Sequence, residues 1–429
     1  MNNKTNRLIP ELRFPEFKND GKWEEKKLGN IGNPSMCKRI FKEETTTNSK
    51  NGIPFYKIGT FGKEADSFIS KEIYEEYKTK FSFPKKGEIL ISASGTIGRL
   101  VVYDGEPAFF QDSNIVWISN DENEVKNNFL YYIYSLVKWQ TSDGGIIQRL
   151  YNADLKSVDI AFPKNKNEQQ KISDCLSSLE ELITALINKL EILKKHKKGL
   201  MQNLFPQEGE RVPKLRFKEF EKDGNWVGKK LIDTVDKKIK WSFTGGPFGS
   251  NLKASDYTSN GIRIIQLQNI GDSEFKDNYK IYTSIEKANE LLSCNIYSGE
   301  IIISKMGDPV GRACIIPEKL VRCVLASDGI RLVVDEKKYS KYFIFSLINS
   351  EGIREAIEKK STGSTRKRIG LDDLKTIDLF IPKDIKEQQK IGVTIYLLDN
   401  LIKEQNNKIE QLKSHKKGLM QSLFPKMKN

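Results

Sequence analysis

Ser361-Thr-Gly-Ser-Thr-Arg-Lys-Arg-Ile369 packs three cations and four hydroxyls into nine residues. Arginine and lysine pair with guanine edges and phosphate oxygens, and backbone NH groups beside glycine reach phosphates as well. Thr362, Ser364, Thr365, Arg366, Lys367 and Arg368 are therefore suited to gripping a nucleic-acid duplex. Gly245-Gly-Pro-Phe-Gly-Ser-Asn-Leu-Lys253 has a similar character, with Thr244, Ser250, Asn251 and Lys253 on or beside a glycine-rich loop. Gln266, Gln268 and Asn269 follow at a predicted strand end, and amide side chains pair with adenine. Lys305 and Arg312 flank the Gly307–Gly311 turn. The first half of the chain offers counterparts: Lys38 and Arg39, Lys57 and Thr60, then Ser92, Ser94, Thr96 and Arg99 around Gly95–Gly98, and Gln148, Arg149, Tyr151 and Asn152. Each of these positions also reads as part of a solvated loop. For Arg99 and Arg312 two readings stand: a DNA contact, or a cover over the sheet behind a tight turn.

Little in the sequence supports catalysis. The only histidines, His196 and His415, sit in matching lysine-rich stretches, where cations suit a helix C-terminus. No phosphate-binding G-x-x-x-x-G-K loop, no dinucleotide G-x-G-x-x-G after a strand and no Asn-Pro-Pro-Tyr/Phe methyltransferase signature occurs. Cys37, Cys175, Cys294, Cys314 and Cys323 are odd in number, scattered and contain no C-x-x-C pair, so neither a disulfide framework nor a zinc site is indicated and a reducing cytoplasm fits best. No metal site is expected. Met1–Arg7 is polar, and no apolar run approaches the roughly 18 residues of a membrane span. The net charge of +14 and a pI near 9.2 favour polyanionic partners.

The chain states its plan twice. Ile9-Pro-Glu-Leu-Arg-Phe-Pro-Glu-Phe-Lys-Asn-Asp-Gly-Lys-Trp23 returns as Val212-Pro-Lys-Leu-Arg-Phe-Lys-Glu-Phe-Glu-Lys-Asp-Gly-Asn-Trp226, and His196-Lys-Lys-Gly-Leu-Met-Gln-Asn-Leu-Phe-Pro206 returns as His415-Lys-Lys-Gly-Leu-Met-Gln-Ser-Leu-Phe-Pro425. Between these markers Ile172, Leu176, Leu179, Ile183, Leu186, Leu190 and Leu193 recur at alternating spacings of four and three, the period of a coiled-coil seam. Ile391, Ile395, Leu398, Ile402, Gln405, Ile409 and Leu412 repeat the register, with Gln405 as a polar device that fixes it. Each helix would reach about 55 Å, too long for one small domain to cover. Asn167 with Gln170, and Asp384 with Glu387, resemble capping boxes. Connectivity makes the helices antiparallel, because the second globular segment must leave the end of one and re-enter at the start of the other. It also brings Ile9 close to Pro425.

The segments between read as short strands (Gly87–Ser92, Leu100–Tyr103, Asn114–Ile118; Gly299–Ser304, Ala313–Ile316, Ile330–Val334) followed by helices over Asn128–Trp139 and Tyr342–Ile357. The expected fold class is α/β (α+β): two similar domains with curved, mixed, largely antiparallel sheets, separated by two long antiparallel coiled-coil helices, pseudo-two-fold and circular. The boundaries fall at 1–163, 164–206, 207–382 and 383–429.

Taken together, the repeated Pro-x-Leu-Arg-Phe openings, the Gly246–Lys253 loop, Gly-Glu-Ile-(Leu/Ile)-Ile-Ser at Gly87 and Gly299, the Glu-Gln-Gln-Lys-Ile helix openings at Glu168 and Glu387 and the Leu-Phe-Pro endings resemble the specificity subunits of Type I restriction-modification systems over essentially the whole chain. The resemblance implies two target-recognition domains, each reading one half of a bipartite double-stranded DNA target. It also implies two methyltransferase subunits docked on the helical spacers, two restriction subunits joining them, and S-adenosylmethionine, ATP and Mg²⁺ chemistry on those partners, with no cofactor or catalytic residue in this chain. Two identical partners need two equivalent surfaces, which would include Glu168, Gln169 and Gln170 and their counterparts Glu387, Gln388 and Gln389. The alternative is a DNA-acting enzyme working alone, nuclease or methyltransferase; a third is a coiled-coil scaffold with no DNA role.

Overall fold

The computed structural model describes residues 8–50, 52–139, 148–207, 209–364 and 366–426. Met1–Arg7 and Thr365 lie outside them. The chain forms two compact units: Met1–Leu186 with Lys408–Asn429, and Ile187–Asn407. The division therefore cuts each long helix in two and assigns half of each to each unit.

The alternation of side chains along a strand feeds two cores at once in both units. In the first, strand Ile89–Ser92 turns Ile89 and Ile91 into one apolar cluster and Leu90 into another, and Ile115–Asn120 divides Val116 and Ile118 from Ile115 and Trp117 in the same way. These strands are the centre of an antiparallel sheet ordered Gly32–Ser35, Ile115–Asn120, Ile89–Ser92, Leu100–Val102. A second sheet, ordered Thr45–Thr46, Phe68–Ile69, Ile53–Tyr56, Phe109–Phe110, closes on a parallel pair between its last two strands. A ribbon of Glu24–Lys27 with Asp159–Phe162 ties the opening segment to the residues before the long helix.

The second unit repeats the plan. Phe243–Gly245, Gly329–Leu332, Ile301–Ser304 and Ala313–Ile315 form the antiparallel sheet, with Ile301 and Ile303 facing one core and Ile302 another. Its partner sheet has five strands, in which Ile262–Ile265 runs parallel to Arg322–Leu325, and Val227–Lys230 pairs with Asp378–Ile381. The helix expected over Tyr342–Ile357 is two helices, Lys341–Ile348 and Glu351–Lys359. The break has a cause: the Asn349 side chain both accepts from Ala313 N (3.1 Å) and donates to Ala313 O (3.2 Å), so it serves as a strand partner and turns the chain.

The long helices run Lys166–Leu204 and Ile385–Leu423. In the first unit Ile172 and Leu176 share a core with Leu423 and Phe424, and Glu180 pairs with Lys416. In the second, Leu204 and Phe205 share a core with Ile391 and Ile395, and Asp399 pairs with Lys197 at 2.5 Å. In each unit the start of one helix thus lies against the end of the other, which is antiparallel pairing. The two ion pairs are images of each other under the repeat. Of the seam positions, Ile172, Leu176, Ile183, Leu190, Ile391, Ile395, Gln405 and Ile409 are buried, and Leu179, Leu186, Leu193, Leu398, Ile402 and Leu412 are half-buried. The first helix is capped by Asn165, whose Oδ1 accepts from Asn167 N at 3.0 Å, so Asn167 sits inside the helix instead of capping it. Asp384 caps the second, accepting from Lys386 N at 2.8 Å.

The opening segments are fastened to the ends of the helices by the same bond in both copies: Leu12 N donates to Ser422 O and Leu215 N to Asn203 O, at 2.9 and 2.8 Å. One joint is continuous in the chain and the other is made through space. Joining the natural termini with a short linker and opening the chain near Gln207 should therefore leave a folded protein. Insolubility of that permutant, checked by size-exclusion chromatography, would refute the topology.

The copies differ at one buried carboxylate. Glu300 takes a bidentate pair from Arg331 (2.7 and 2.5 Å), and Arg331 lies opposite Ile302 in the sheet. The matching glutamate, Glu88, is 2% exposed, and the residue opposite Leu90 is Trp117. Glu88 Oε1 has no hydrogen-bond partner, Oε2 accepts from Lys85 N at 2.7 Å, and burial pushes the carboxyl above the ordinary carboxylate range. With the folded value raised, the unfolded chain gives up this proton first as pH rises. The stability due to Glu88 is therefore complete below about pH 4 and declines as pH climbs through the folded value. Glu88→Gln should stabilise the first unit by about 1 kcal/mol at pH 7 and not at pH 4. Thermal unfolding at both pH values tests this, and an equal effect at the two would refute it.

Candidate nucleic-acid interface

The first unit carries a cleft of about 700 Å³ lined by Arg39, Lys42, Lys57, Gln111, Asn114 and Arg149 among others. Arg39 reaches Asp112 (3.1 Å) and Lys57 reaches Asp66 (2.9 Å); both cations stay in contact with solvent, so the pairs are weak and a phosphate can compete for either cation. Arg149 donates to Ser113 O at 2.7 Å, and Gln111 accepts from Ile58 N at 3.0 Å. Thr60 closes the turn below, accepting from Lys57 N at 3.1 Å, and Ser94 donates to Asn114 Oδ1 at 2.8 Å. Gln148, Tyr151, Asn152 and Thr96 are exposed but lie outside the lining. Lys38 stands 4.9 Å over the Phe81 ring, also outside it.

The second unit has the counterpart, a cleft of about 760 Å³ lined by Gln266, Gln268, Lys276, Arg312, Asp328 and Arg366 among others. Gln268 and Arg366 are exposed. Gln266 donates to Tyr257 OH at 3.1 Å. Arg368 corresponds to Arg149 in sequence and meets the equivalent turn, but it does so through the Asp328 carboxylate (Nη2 to Oδ1, 3.4 Å) and from outside the lining, on a hairpin in which Thr362 and Arg368 exchange both backbone bonds at 2.8 Å. Lys305 bonds Asp328 O through its backbone NH (2.7 Å). Thr244, Ser250, Asn251, Lys253, Thr362, Ser364 and Lys367 are around the cleft or on the same hairpin without lining it, and Lys367 pairs with Glu358. Gly246 shapes the entrance: a Cβ there would stand 1.8 Å from Ala326 O.

Several sequence expectations do not survive this geometry. Ser92 is buried, its Oγ donating to Thr96 O (2.5 Å) and accepting from Arg99 N (2.8 Å), so it ties the turn and offers nothing outward. Asn269 is 0% exposed; it accepts from Gln266 N and donates to the carbonyls of Lys276 and Tyr279, which makes it an internal brace. Arg99 donates to Phe61 O at 2.8 Å outside the cleft, the sheet-covering reading, whereas Arg312 lines the cleft. Lys42, Gln111 and Asn114, and Lys276, Tyr257 and Asp328, line the clefts although the sequence reading does not point to them. Gln111 and Ala326 take the same position, each bonding back to the neighbouring parallel strand through its NH (Tyr56 O and Ile265 O, both 2.9 Å), and the parallel pair that places them leaves no local sequence signal.

The docking assignment needs the largest correction. Glu168 and Glu387 are fully buried. Arg13 grips Glu168 with two bonds of 2.7 Å, and Trp23 Nε1 donates to the same carboxylate at 3.3 Å. Arg216 and Trp226 do the same to Glu387 at 2.7, 2.8 and 3.3 Å. Gln169 bonds Lys126 N and the carbonyls of Glu124 and Pro163, and Gln388 bonds Ser340 N and Pro382 O. Glu168 and Glu387 join the repeated opening to the repeated helix start, Gln169 and Gln388 tie that start to the residues that begin helices Asn127–Leu136 and Lys341–Ile348, and none of the four has surface to give a partner. Gln170 is half-buried and Gln389 exposed.

Burial pushes the Cys37 thiol, beneath the first cleft, up to about 12, and the described residues contain no group of His, Cys, Asp and Glu able to hold a metal ion. No described helix is long and apolar enough to cross a membrane.

Residues 20–194 and 252–413 match the model of the Type I restriction modification DNA specificity domain, one segment from each half. The chain belongs to that family. It is 54% identical over 165 residues to a protein of Haemophilus influenzae named as a type I restriction enzyme specificity subunit; the match covers 38% of this chain and 42% of that relative. A Methanocaldococcus jannaschii protein named as the type I restriction enzyme MjaX specificity subunit is 27% identical over 395 residues, 87% of each chain. In fold, the chain is similar to the crystal structure of the Type I restriction-modification system S subunit from M. genitalium, with a TM-score of 0.64 at 18% identity over 98% of this chain and 100% of that one. The family assignment attaches the word specificity to a molecule with two clefts of one design.

Proposed function

We propose that this chain is the sequence-reading subunit of a Type I restriction-modification complex, in which each cleft takes one half of a bipartite double-stranded DNA target. The observation that carries the reading is the repeated cleft: in both units the turn that follows the parallel strand lines it, at Ser113 or Asp328, and is held by an arginine, Arg149 or Arg368. Exposed cations and amides surround both clefts. The braced cation is placed for phosphates, while Gln268 and Arg366 have the donor patterns that distinguish bases. The net charge of +14 serves the non-specific part of binding. Two methyltransferase subunits dock on the long helices and two restriction subunits join through them; with Glu168, Gln169, Glu387 and Gln388 buried, the docking falls to outward residues, Gln170 and Gln389 included. S-adenosylmethionine, ATP and Mg²⁺ act on those partners, in the cytoplasm, and this chain performs no chemistry.

Methylome sequencing of cells with and without the gene tests the reading. The expected result is a modified motif of two short half-sites at a constant separation, lost with the gene. An unchanged methylome, or turnover of DNA by the purified chain alone with Mg²⁺ and S-adenosylmethionine, would overturn it.

A further inference from the structure

The connection from strand Phe243–Gly245 to the short helical turn at Ala254 is a shaped loop. Gly246 passes so close to Ala326 that no other residue fits, Pro247 and Leu252 are buried, and Asn251 N donates to Phe248 O at 2.8 Å to close a tight turn. Between these anchors the Phe248 ring is 84% exposed, while Pro247 and Gly249 on either side of it line the cleft that also contains Gln268 and Arg366. A phenylalanine left in water forgoes about 1.5–3 kcal/mol that burial would supply, and here the backbone holds it out instead of folding it in. The first unit has a parallel, since Phe41, 56% exposed, lines its own cleft.

We propose that Phe248 stacks on a base of the half-site bound by the second unit. This rests on the reading of the clefts as duplex-binding. Cations lining the cleft hold the phosphates, the ring reaches a base face by wedging into a base step that it partly unstacks, and the fixed turn spares the ordering cost that a mobile loop would incur. Stacking of this kind is indifferent to base identity, so Phe248 sets affinity and local distortion, while Gln268 and Arg366 set sequence preference.

The test uses the full chain with its co-expressed partners and a short duplex containing the target found in the methylome, with 2-aminopurine substituted in turn at positions of each half-site. Phe248→Ala should weaken target binding roughly tenfold or more. It should leave the salt slope unchanged and abolish a 2-aminopurine fluorescence change confined to one half-site. Phe248→Tyr should restore both. Phe248→Ala binding within about twofold of the native chain, or Phe248→Leu matching it in affinity and fluorescence, would overturn stacking while leaving DNA reading intact. Failure of the native assembly to prefer the target over a scrambled duplex would instead remove the reading of the clefts, and the proposal with it.

Discussion

Replacing Arg13 with alanine should lower the stability of the first unit by about 3–5 kcal/mol, because a fully buried carboxylate would lose the cation that pairs with it. Glu168 takes both arms of the guanidinium, and the indole of Trp23 cannot compensate a full charge. Arg13→Lys should recover little, since an ammonium lacks the two-pronged geometry. The double variant Arg13→Ala with Glu168→Gln should regain a large part of the loss, because the uncompensated charge goes with it. Arg216→Ala should act in the same way on the second unit through Glu387. Urea unfolding with probes in each unit checks this; a loss below about 1 kcal/mol in the single variants would show that the clamp is dispensable.

Arg366→Ala should relax discrimination at one base position by about 1–3 kcal/mol while leaving the other positions as they were. The side chain is exposed at the cleft, without an ion pair among the described residues, which suits a group waiting for a base edge. Gln268→Ala should do the same at another position. Lys253, exposed beside the cleft, should behave differently: its alanine variant weakens every duplex alike and reduces the slope of log affinity against log salt by about one. Binding to a library of single-base variants of the target separates the two behaviours. If Arg366 and Gln268 variants lose affinity with an unaltered base preference, readout lies elsewhere in the clefts.

What was legible in the sequence follows a physical pattern. The helices announced themselves because a spacing of three and four is a local property, and the antiparallel pairing followed from connectivity alone. The strands Gly87–Ser92 and Gly299–Ser304 stood out because apolar side chains on both faces give an unbroken run. The roles of Glu168 and Gln169 were not legible. Their repetition at Glu387 and Gln388 was read as a repeated outer surface, whereas it reflects a repeated inner one, and Arg13 comes from 155 residues away. Asn269 and Ser92 failed for a related reason: amides and hydroxyls in loops look alike whether they face a ligand or their own backbone. Arg149 and Arg368 were chosen for their charge; that they brace equivalent turns could be seen only once the parallel strands had placed Ser113 and Asp328.

The core of the first unit is discontinuous along the chain, and this dictates an order of events during synthesis. Trp23 and Phe129 pack against Phe424, with ring centres 5.8 and 5.4 Å apart, and Phe424 leaves the ribosome about 400 residues after Trp23. At roughly 5–20 residues per second that is a wait of tens of seconds. The unit spanning Ile187–Asn407 has all its residues before then. The half translated first is thus the half completed last, and until Phe424 arrives the faces of Trp23 and Phe129 that it covers stand open to chaperones and to other nascent chains.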